Sequence, residues 1–140
     1  MIDPLRCAHL ATPERTLVDV LIATSQRVPD EPALDDGVNV LSYRSLLARI
    51  DALAQLLREF GVRRGDRVGI RMSSGSNDLY VAILGTLWAG ATYVPVDADD
   101  PEERISLVLS EADVAAVVTD GPTITPMREP TSDENESRPV

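Results

Sequence analysis

Three residue types are scarce in this sequence of 140 residues. It has one cysteine, Cys7, and one histidine, His9, and its aromatic residues make up only 4% of the chain. A single cysteine excludes an internal disulfide, and one cysteine with one histidine argues against a zinc site of protein ligands and against a Cys-His nucleophile pair. So few aromatic side chains also leave little surface on which nucleic-acid bases could stack.

Basic residues are also in the minority. Thirteen Lys and Arg residues stand against 23 Asp and Glu residues, which gives a formal net charge of -10. A chain of this charge repels phosphate backbones and anionic lipid, so we expect no nucleic-acid partner and no membrane partner. No segment reaches the roughly 18 continuous apolar residues of a membrane span, and residues 1–9 lack a signal-peptide pattern. These features predict a cytoplasmic protein.

The chain does contain enough apolar material for one domain, since 44% of its residues are hydrophobic and 26% are charged. Thr16, followed by apolar residues at helical spacing, predicts a first helix that ends near Pro29. The Asp-Gly pair at residues 36–37 then predicts a short hairpin. A long second helix is predicted from a Ser42 cap to Gly61, with apolar positions at Leu46, Ile50, Leu53, Leu57 and Phe60.

From Arg67 to Thr119 the pattern alternates between strands and helices. A strand over residues 68–72 precedes a helix that stops at Gly90, and a second strand follows over residues 91–96. Asp100, as a capping carboxylate before Pro101, predicts the start of the next helix. Residues 114–118 are continuously apolar, as in a strand covered on both faces. This β-α-β-α-β order predicts an α/β fold with two right-handed crossovers, which is half of a doubly wound parallel sheet.

The two ends of the chain differ from this pattern. Residues 1–14 precede the first predicted element and are expected to be a flexible N-terminus. From residue 121 onward, proline, serine, threonine and acidic residues replace nearly all apolar ones, which predicts a disordered tail over residues 121–140. The predicted domain therefore covers residues 15–120.

Candidate chemical groups between these elements are sparse. The loop Ser73-Ser74-Gly75-Ser76 could offer backbone N–H groups to an anion, but it has no Walker pattern and no nearby lysine, so a turn in which Ser76 caps a helix is favoured. A dense acidic group could hold Mg²⁺, although part of it suits the start of a helix; its members are Asp97, Asp99, Asp100, Glu102 and Glu103. Three of the aromatic residues, Tyr80, Trp88 and Tyr93, could line a pocket, but their spacing is more typical of packing. We predict no catalytic, cofactor-binding or metal-ligating residue.

Two stretches follow recognisable patterns. Residues 41–46, L-S-Y-R-S-L, match L-[TS]-Y-x-E-L except for Ser45. Residues 87–97, L-W-A-G-A-T-Y-V-P-V-D, match L-K-A-G-x-A-Y-V-P-I-D except for Trp88, Thr92 and the conservative Val96. A G-D-R-V turn lies between them. The chain thereby resembles the adenylation domains of nonribosomal peptide synthetases, within the adenylate-forming (AMP-binding) ligase superfamily. The positions that carry the resemblance are Leu41, Ser42, Tyr43, Leu46, Gly65, Asp66, Arg67, Gly90, Tyr93, Pro95 and Asp97.

The resemblance covers about residues 16–120 and implies the N-terminal portion of such a domain. In that family these early motifs are mainly structural, whereas the ATP loop, the acid pocket and the adenylation lysine come later. ATP and Mg²⁺ are therefore implied only for an intact parent enzyme, which activates an amino or carboxylic acid to an acyl-adenylate and then a thioester. We expect a truncated segment that is inactive alone, with the remainder of the domain or a carrier protein as candidate partners.

Two other functions remain open at this point. The chain could be an interaction module that complements a separately encoded ligase remainder, because a half-sheet leaves strand edges and apolar faces uncovered. It could also be an independent small nucleotide-binding α/β domain that uses the loop at residues 73–76. The first alternative predicts copurification with a partner, and the second predicts ATP binding by the isolated chain.

Overall fold

A computed structural model describes residues 16–127, so the predicted N-terminal segment and most of the predicted tail lie outside the described residues. The first half contains helix α1 (Leu17–Arg27), the hairpin strands β1 (Pro32–Asp35) and β2 (Val40–Ser42), and helix α2 (Tyr43–Glu59). The second half contains β3 (Arg67–Met72), α3 (Asn77–Trp88), β4 (Thr92–Asp97), α4 (Glu102–Glu111), β5 (Ala116–Thr119) and β6 (Thr123–Pro126).

Short-range signals set the starts of the first two helices, as predicted. Thr16 and Asp19 form a capping box at α1, in which each side chain accepts a hydrogen bond from the other residue's backbone N–H group. The Ser42 hydroxyl accepts a hydrogen bond from the Ser45 N–H group at the start of α2. Gly37, at a φ of +86°, occupies the hairpin turn in the left-handed region that favours glycine.

Within residues 16–127, the main sheet has four strands in the order β4-β3-β5-β6. Strands β4 and β5 both run parallel to β3, on opposite sides of it, and β6 is antiparallel to β5. The chain therefore moves from β3 to β4 in one direction and then back past β3 to β5. This is the partial doubly wound sheet that the alternating pattern predicts.

The first face of the sheet carries the larger core. Helices α2 and α3 pack on it, and alternate residues of β3, Val68, Ile70 and Met72, point into this layer. The long helix contributes the predicted stripe, with Leu46, Ile50, Leu53 and Leu57 buried. The two helices approach closely at Gly85, where a Cβ would lie 2.8 Å from Cδ2 of Leu53.

Of the helices described above, only α4 lies on the second face of the sheet, where it covers a smaller core. Ile105 and Leu109 of this helix pack with Val114 and Val117, and Val94 and Val96 of β4 adjoin them. Gly69 makes room for the helix, because a Cβ there would lie 2.6 Å from Cδ2 of Leu109. Since α3 and α4 cover opposite faces while the strands move in opposite directions, the two crossovers have the same hand.

Three local predictions are wrong. Asp100 does not cap α4: its N–H group donates to the Asp97 carbonyl at 3.1 Å, which places it in the turn after β4, and Pro101 is the capping residue. Phe60 lies beyond the end of α2 and is 42% exposed, so it does not continue the buried stripe. Strand β6 lies inside the segment predicted to be a disordered tail.

Composition alone missed β6 because the strand is only four residues long. Its threonine and isoleucine side chains suit a strand, and Ile124 packs against the larger core on the first face. Regular secondary structure therefore extends past residue 120. Within residues 16–127, no helix combines the length and apolar character needed to cross a bilayer.

Candidate functional site

Some of the residues that carry the family resemblance meet at the amino end of the main sheet. The Gly65 N–H group donates to the Gly90 carbonyl at 2.9 Å, and the Thr92 N–H group donates to the Asp66 carbonyl at 2.8 Å. The Asp66 carboxylate accepts a hydrogen bond from the Arg63 N–H group at 2.8 Å, which closes the turn before β3. The turn and the second motif therefore form one junction that sets the start of both strands.

Arg67 extends this junction to the second face of the sheet. Its guanidinium donates to the Ala112 carbonyl at the end of α4, at 3.0 Å, while its own carbonyl accepts a hydrogen bond from Ala115 at 2.7 Å. The orphan carbonyls at a helix C-terminus need such partners. Arg67 thus holds the end of α4 and the approach to β5 against β3.

The first motif forms a second junction, at the start of α2. Leu41 and Leu46 are buried in the larger core, and Ser42 caps the helix. The Tyr43 N–H group donates to the Glu31 carbonyl at 3.1 Å, and the neighbouring Arg44 N–H group donates to the Pro29 carbonyl at 2.9 Å. The motif thus fixes the long helix to the segment between α1 and β1.

The remaining motif residues lie along the outer strand β4. Tyr93 is 38% exposed, and Pro95 and Asp97 are also exposed. One Asp97 carboxylate oxygen accepts a hydrogen bond from the Asp99 N–H group at 2.9 Å, in the turn that leaves the strand. These three residues therefore shape the strand and its turn, and they do not enclose a cavity with the other motif residues.

The serine-rich loop lies at the opposite, carboxyl end of β3. Residues 73–75 are exposed, and the Ser76 hydroxyl accepts a hydrogen bond from Leu79 at 3.3 Å, so Ser76 caps α3 as the favoured prediction holds. The first N–H group of that helix, on Asn77, is also bonded: it donates to the Asp36 carboxylate at 3.1 Å. The N-terminus of α3 therefore already has a carboxylate partner from the same chain.

Asp36 is the most heavily bonded acidic side chain near this loop. It accepts hydrogen bonds from the N–H groups of Asn39, Val38 and Asn77, and these bonds hold the pKa of its carboxyl below the ordinary value. The Asn77 side chain completes the contact by donating to the Asn39 carbonyl at 2.9 Å. The hairpin turn is thereby attached to the start of α3.

The acidic group after β4 does not converge on a metal ion. Glu102 makes two hydrogen bonds with the guanidinium of Arg71, at 3.1 and 2.5 Å, which lower the pKa of Glu102 and raise that of Arg71. Asp100 lies 3.9 Å from Arg104, one helical turn along α4. In the described part of the chain, no three acidic, histidine or cysteine side chains are grouped so that they could hold a metal.

A groove of about 470 Å³ lies on the second face, between α4 and β6. Leu109, Val117 and Met127 provide apolar lining, and Ser106, Ser110 and the Arg71–Glu102 pair contribute polar lining. None of Tyr80, Trp88 and Tyr93 lines it; Trp88 packs against the core of the first face, and the other two are exposed. Across residues 16–127, no buried side-chain nitrogen or oxygen lacks a hydrogen-bond partner.

Sequence reasoning missed Asp36, the Arg71–Glu102 pair and the groove. Asp36 could have been noticed only as part of an Asp-Gly turn, because its third partner lies 41 residues away. Arg71 and Glu102 are 31 residues apart, and only the packing of α4 on β3 brings them together. The groove depends on the position of β6, and the composition of residues 121–140 does not predict that strand.

Comparison with known proteins identifies the family. Residues 21–139 match the model of the AMP-binding enzyme family. The chain is 42% identical over 94 residues to gramicidin S synthase 2 of Brevibacillus brevis, covering 67% of this chain and 2% of that protein. It is 34% identical over 115 residues to enterobactin synthase component F of Escherichia coli K12, covering 82% of this chain and 9% of that protein.

Solved structures agree with the sequence comparison. The N-terminal subdomain of Klebsiella oxytoca NpsA, solved with 3-hydroxyanthranilyl-AMSN, superposes with a TM-score of 0.70 at 34% identity, over 76% of this chain and 27% of that one. The nonribosomal peptide synthetase FmoA3, solved with α-methyl-L-serine-AMP, gives a TM-score of 0.72 at 36% identity. The match covers 76% of this chain and 12% of the FmoA3 chain.

This chain therefore belongs to the AMP-binding enzyme family. Its relatives narrow the assignment to the adenylation domains of nonribosomal peptide synthetases, and the region that it matches is the N-terminal portion of such a domain. The chain spans less than a tenth of the length of the two curated relatives described above.

Proposed function

We propose that this chain is the first part of the scaffold of an adenylation domain and that it does not activate an acid by itself. The proposal rests on what the motif residues contact: they bond to other parts of the scaffold. Gly65, Asp66, Arg67 and Gly90 join one backbone segment to another, and Ser42 caps a helix. These groups position the strands and helices of a scaffold on which a longer enzyme would mount its site.

The residues present do not fit ATP and Mg²⁺. All 13 basic residues of the sequence are arginines, so the chain has no lysine to contact a phosphate or an acyl-adenylate. The N-terminus of α3 is occupied by Asp36, and like charge near a carboxylate disfavours a triphosphate. In a complete enzyme, ATP, Mg²⁺ and the acid would be bound by residues beyond those described here, and a carrier protein would receive the product.

The direct test is ATP-pyrophosphate exchange by the purified chain. The assay should contain Mg²⁺ and separate pools of amino acids and aryl acids, with a complete adenylation domain as the positive control. We expect no exchange above that of a mock purification, and a titration with Mg-ATP should be flat. Exchange by the isolated chain would overturn the proposal, and saturable ATP binding would instead favour the independent nucleotide-binding domain.

The groove beside α4 supports the proposal that this chain is a structural part of a larger domain. Met127, next to the end of β6, forms part of the groove's wall. We propose that the remainder of the adenylation domain covers the groove. The chain matches 27% of the NpsA N-terminal subdomain, so a complete domain has further segments that could pack here. Among residues 16–127, none covers the second face beside α4. A doubly wound sheet needs both faces covered.

A chimera tests this surface inside a complete enzyme. Residues 16–127 would replace the matching stretch of the enterobactin synthase component F adenylation domain, and exchange activity would be measured. We expect activity from the chimera, and at least a tenfold loss when Ser106 and Ser110 are both changed to arginine to fill the groove. The matched control is Leu107→Arg, an exposed position that does not line the groove. Equal activity of the groove variant and the control would exclude docking at this site.

A further inference from the structure

In the part of the chain from residue 16 to residue 127, the main sheet has two outer strands, β4 and β6, each hydrogen-bonded to a single neighbouring strand. An outer strand normally presents a row of free N–H and C=O groups, to which an extended segment of another chain can add. Both outer strands of this sheet contain a proline, Pro95 in β4 and Pro126 in β6. Proline has no N–H group, so its effect depends on which way its backbone nitrogen faces.

In β4 the backbone nitrogen of Pro95 faces away from the sheet. The Thr92 N–H group donates to the Asp66 carbonyl, and residues 92 and 67 are register partners. Backbone groups alternate in direction along a strand, so residues 92, 94 and 96 face β3, and residues 93, 95 and 97 face outward. The outward row therefore has donors at Tyr93 and Asp97, and none at its centre.

In β6 the backbone nitrogen of Pro126 also faces away from the sheet. The Met127 N–H group donates to the Ala115 carbonyl at 2.9 Å, and Pro126 is the register partner of Ala116. Residues 123, 125 and 127 therefore face β5, and residues 124 and 126 face outward. Ile124 is the only outward donor within this strand, because Pro126 supplies none.

We infer that Pro95 and Pro126 close both edges of the four-stranded sheet to strand addition, so that partners meet this chain through its faces. An incoming strand would leave an acceptor unpaired opposite each proline, and the proline ring would occupy the position of the missing hydrogen. This excludes two kinds of contact: edge-to-edge pairing with a second copy, and capture of an extended segment of another protein. The inference does not depend on the proposed function.

Replacing each proline with threonine tests the inference, because it adds one outward donor per edge. We expect Pro95→Thr to strengthen self-association at least tenfold, measured by sedimentation velocity over a range of protein concentrations. Pro126→Thr should have a smaller effect in the same direction, because β6 is shorter. Thr92→Val and Thr125→Val are the matched controls: they raise apolar character on the same strands, at exposed residues whose N–H groups already face the sheet.

The competing explanation is that proline is merely tolerated at an edge, and it predicts no change in any variant. If both proline variants remain as monomeric as the parent, or if the valine controls associate equally, the inference is wrong. Circular dichroism will identify a variant that fails to fold, and Pro95→Val then provides a second way of adding the donor. In the parent chain, concentration-dependent protection of the Tyr93 amide from hydrogen exchange would also overturn it.

Discussion

The two faces of the main sheet are built alike but completed to different degrees. Each face has a glycine at its closest contact, Gly85 under Leu53 on the first face and Gly69 under Leu109 on the second. Among residues 16–127, two helices with a continuous core cover the first face, whereas the second face has one helix and an open groove beside it. The difference indicates that the first face is a finished folding core, while the second face can still accept a packing partner.

The largest expected effect compares large-to-small substitutions on the two faces. Ile50→Ala, at a fully buried site, should lower the free energy of unfolding by about 3 to 4 kcal/mol. Leu109→Ala should cost about 2 kcal/mol, because Leu109 is 8% exposed and already borders the groove. Urea denaturation followed by circular dichroism measures both values. Equal costs would contradict the difference between the faces.

Adding a methyl group at the two glycines sharpens the same comparison. Gly85→Ala places the methyl 3.1 Å from the Cβ of Leu53, which cannot move without the helix, so we expect a loss of about 2 kcal/mol. Gly69→Ala meets the end of the Leu109 side chain closely, whereas the Cγ2 of Val117 at 3.4 Å and the Ala116 carbonyl oxygen at 3.8 Å are ordinary contacts. Leu109 can turn toward the groove. The cost of Gly69→Ala should stay below about 1 kcal/mol. The reverse order would show that the groove gives Leu109 no room.

Acid should weaken one contact of Asp36, at the start of α3, and one of Glu102, on α4. We expect the loss of stability to be larger for the Asp36 contact. The pKa values of Asp36 and Glu102 are both lowered in the folded chain, through backbone N–H groups at Asp36 and through Arg71 at Glu102. A folded pKa below the unfolded one means that the stabilisation is complete above the ordinary values of 3.8 and 4.5 and is lost as pH falls through the folded pKa.

The corresponding variants are Asp36→Asn and Glu102→Gln. Asp36→Asn should lower the urea midpoint at pH 7 and reduce its fall between about pH 5 and pH 3. Glu102→Gln should act in the same direction but less, because the Arg71–Glu102 pair is partly exposed to solvent. Asp99→Asn, at an exposed turn residue, is the control and should leave the profile unchanged. An unchanged profile for Asp36→Asn would show that the hairpin contact does not contribute.

The smallest expected effect is a gain at the start of α2. The first turn of this helix has no acidic residue, and Ser45 stands where the family motif has glutamate. Glutamate three residues after a serine cap can complete a capping box and favours the positive end of the helix. Ser45→Glu should raise the free energy of unfolding by about 0.5 kcal/mol, and Ser45→Gln by less. A loss of stability in Ser45→Glu would exclude this interpretation of the motif.

The local elements were largely predictable from the sequence. The Thr16 and Ser42 caps, the Asp-Gly hairpin turn and the stripe from Leu46 to Leu57 all depend on neighbours within a few residues, and the structure confirms them. The alternating order of elements likewise predicted the partial doubly wound sheet. The cap of α4 was mispredicted because Asp100 joins the turn from Asp97, a choice between two local partners that sequence alone does not rank.

Contacts between distant residues could not be predicted in this way. The sequence by itself determined the family, the starts of α1, α2 and α3 and the absence of lysine, since these follow from residue identity and short spacing. Only the tertiary structure decided that Gly65 meets Gly90, that Asp36 meets Asn77 and that the prolines of β4 and β6 face outward. The physical reason is that strand order and register determine which backbone groups are neighbours. Strand order and register are themselves set by the packing of helices on the two faces of the sheet.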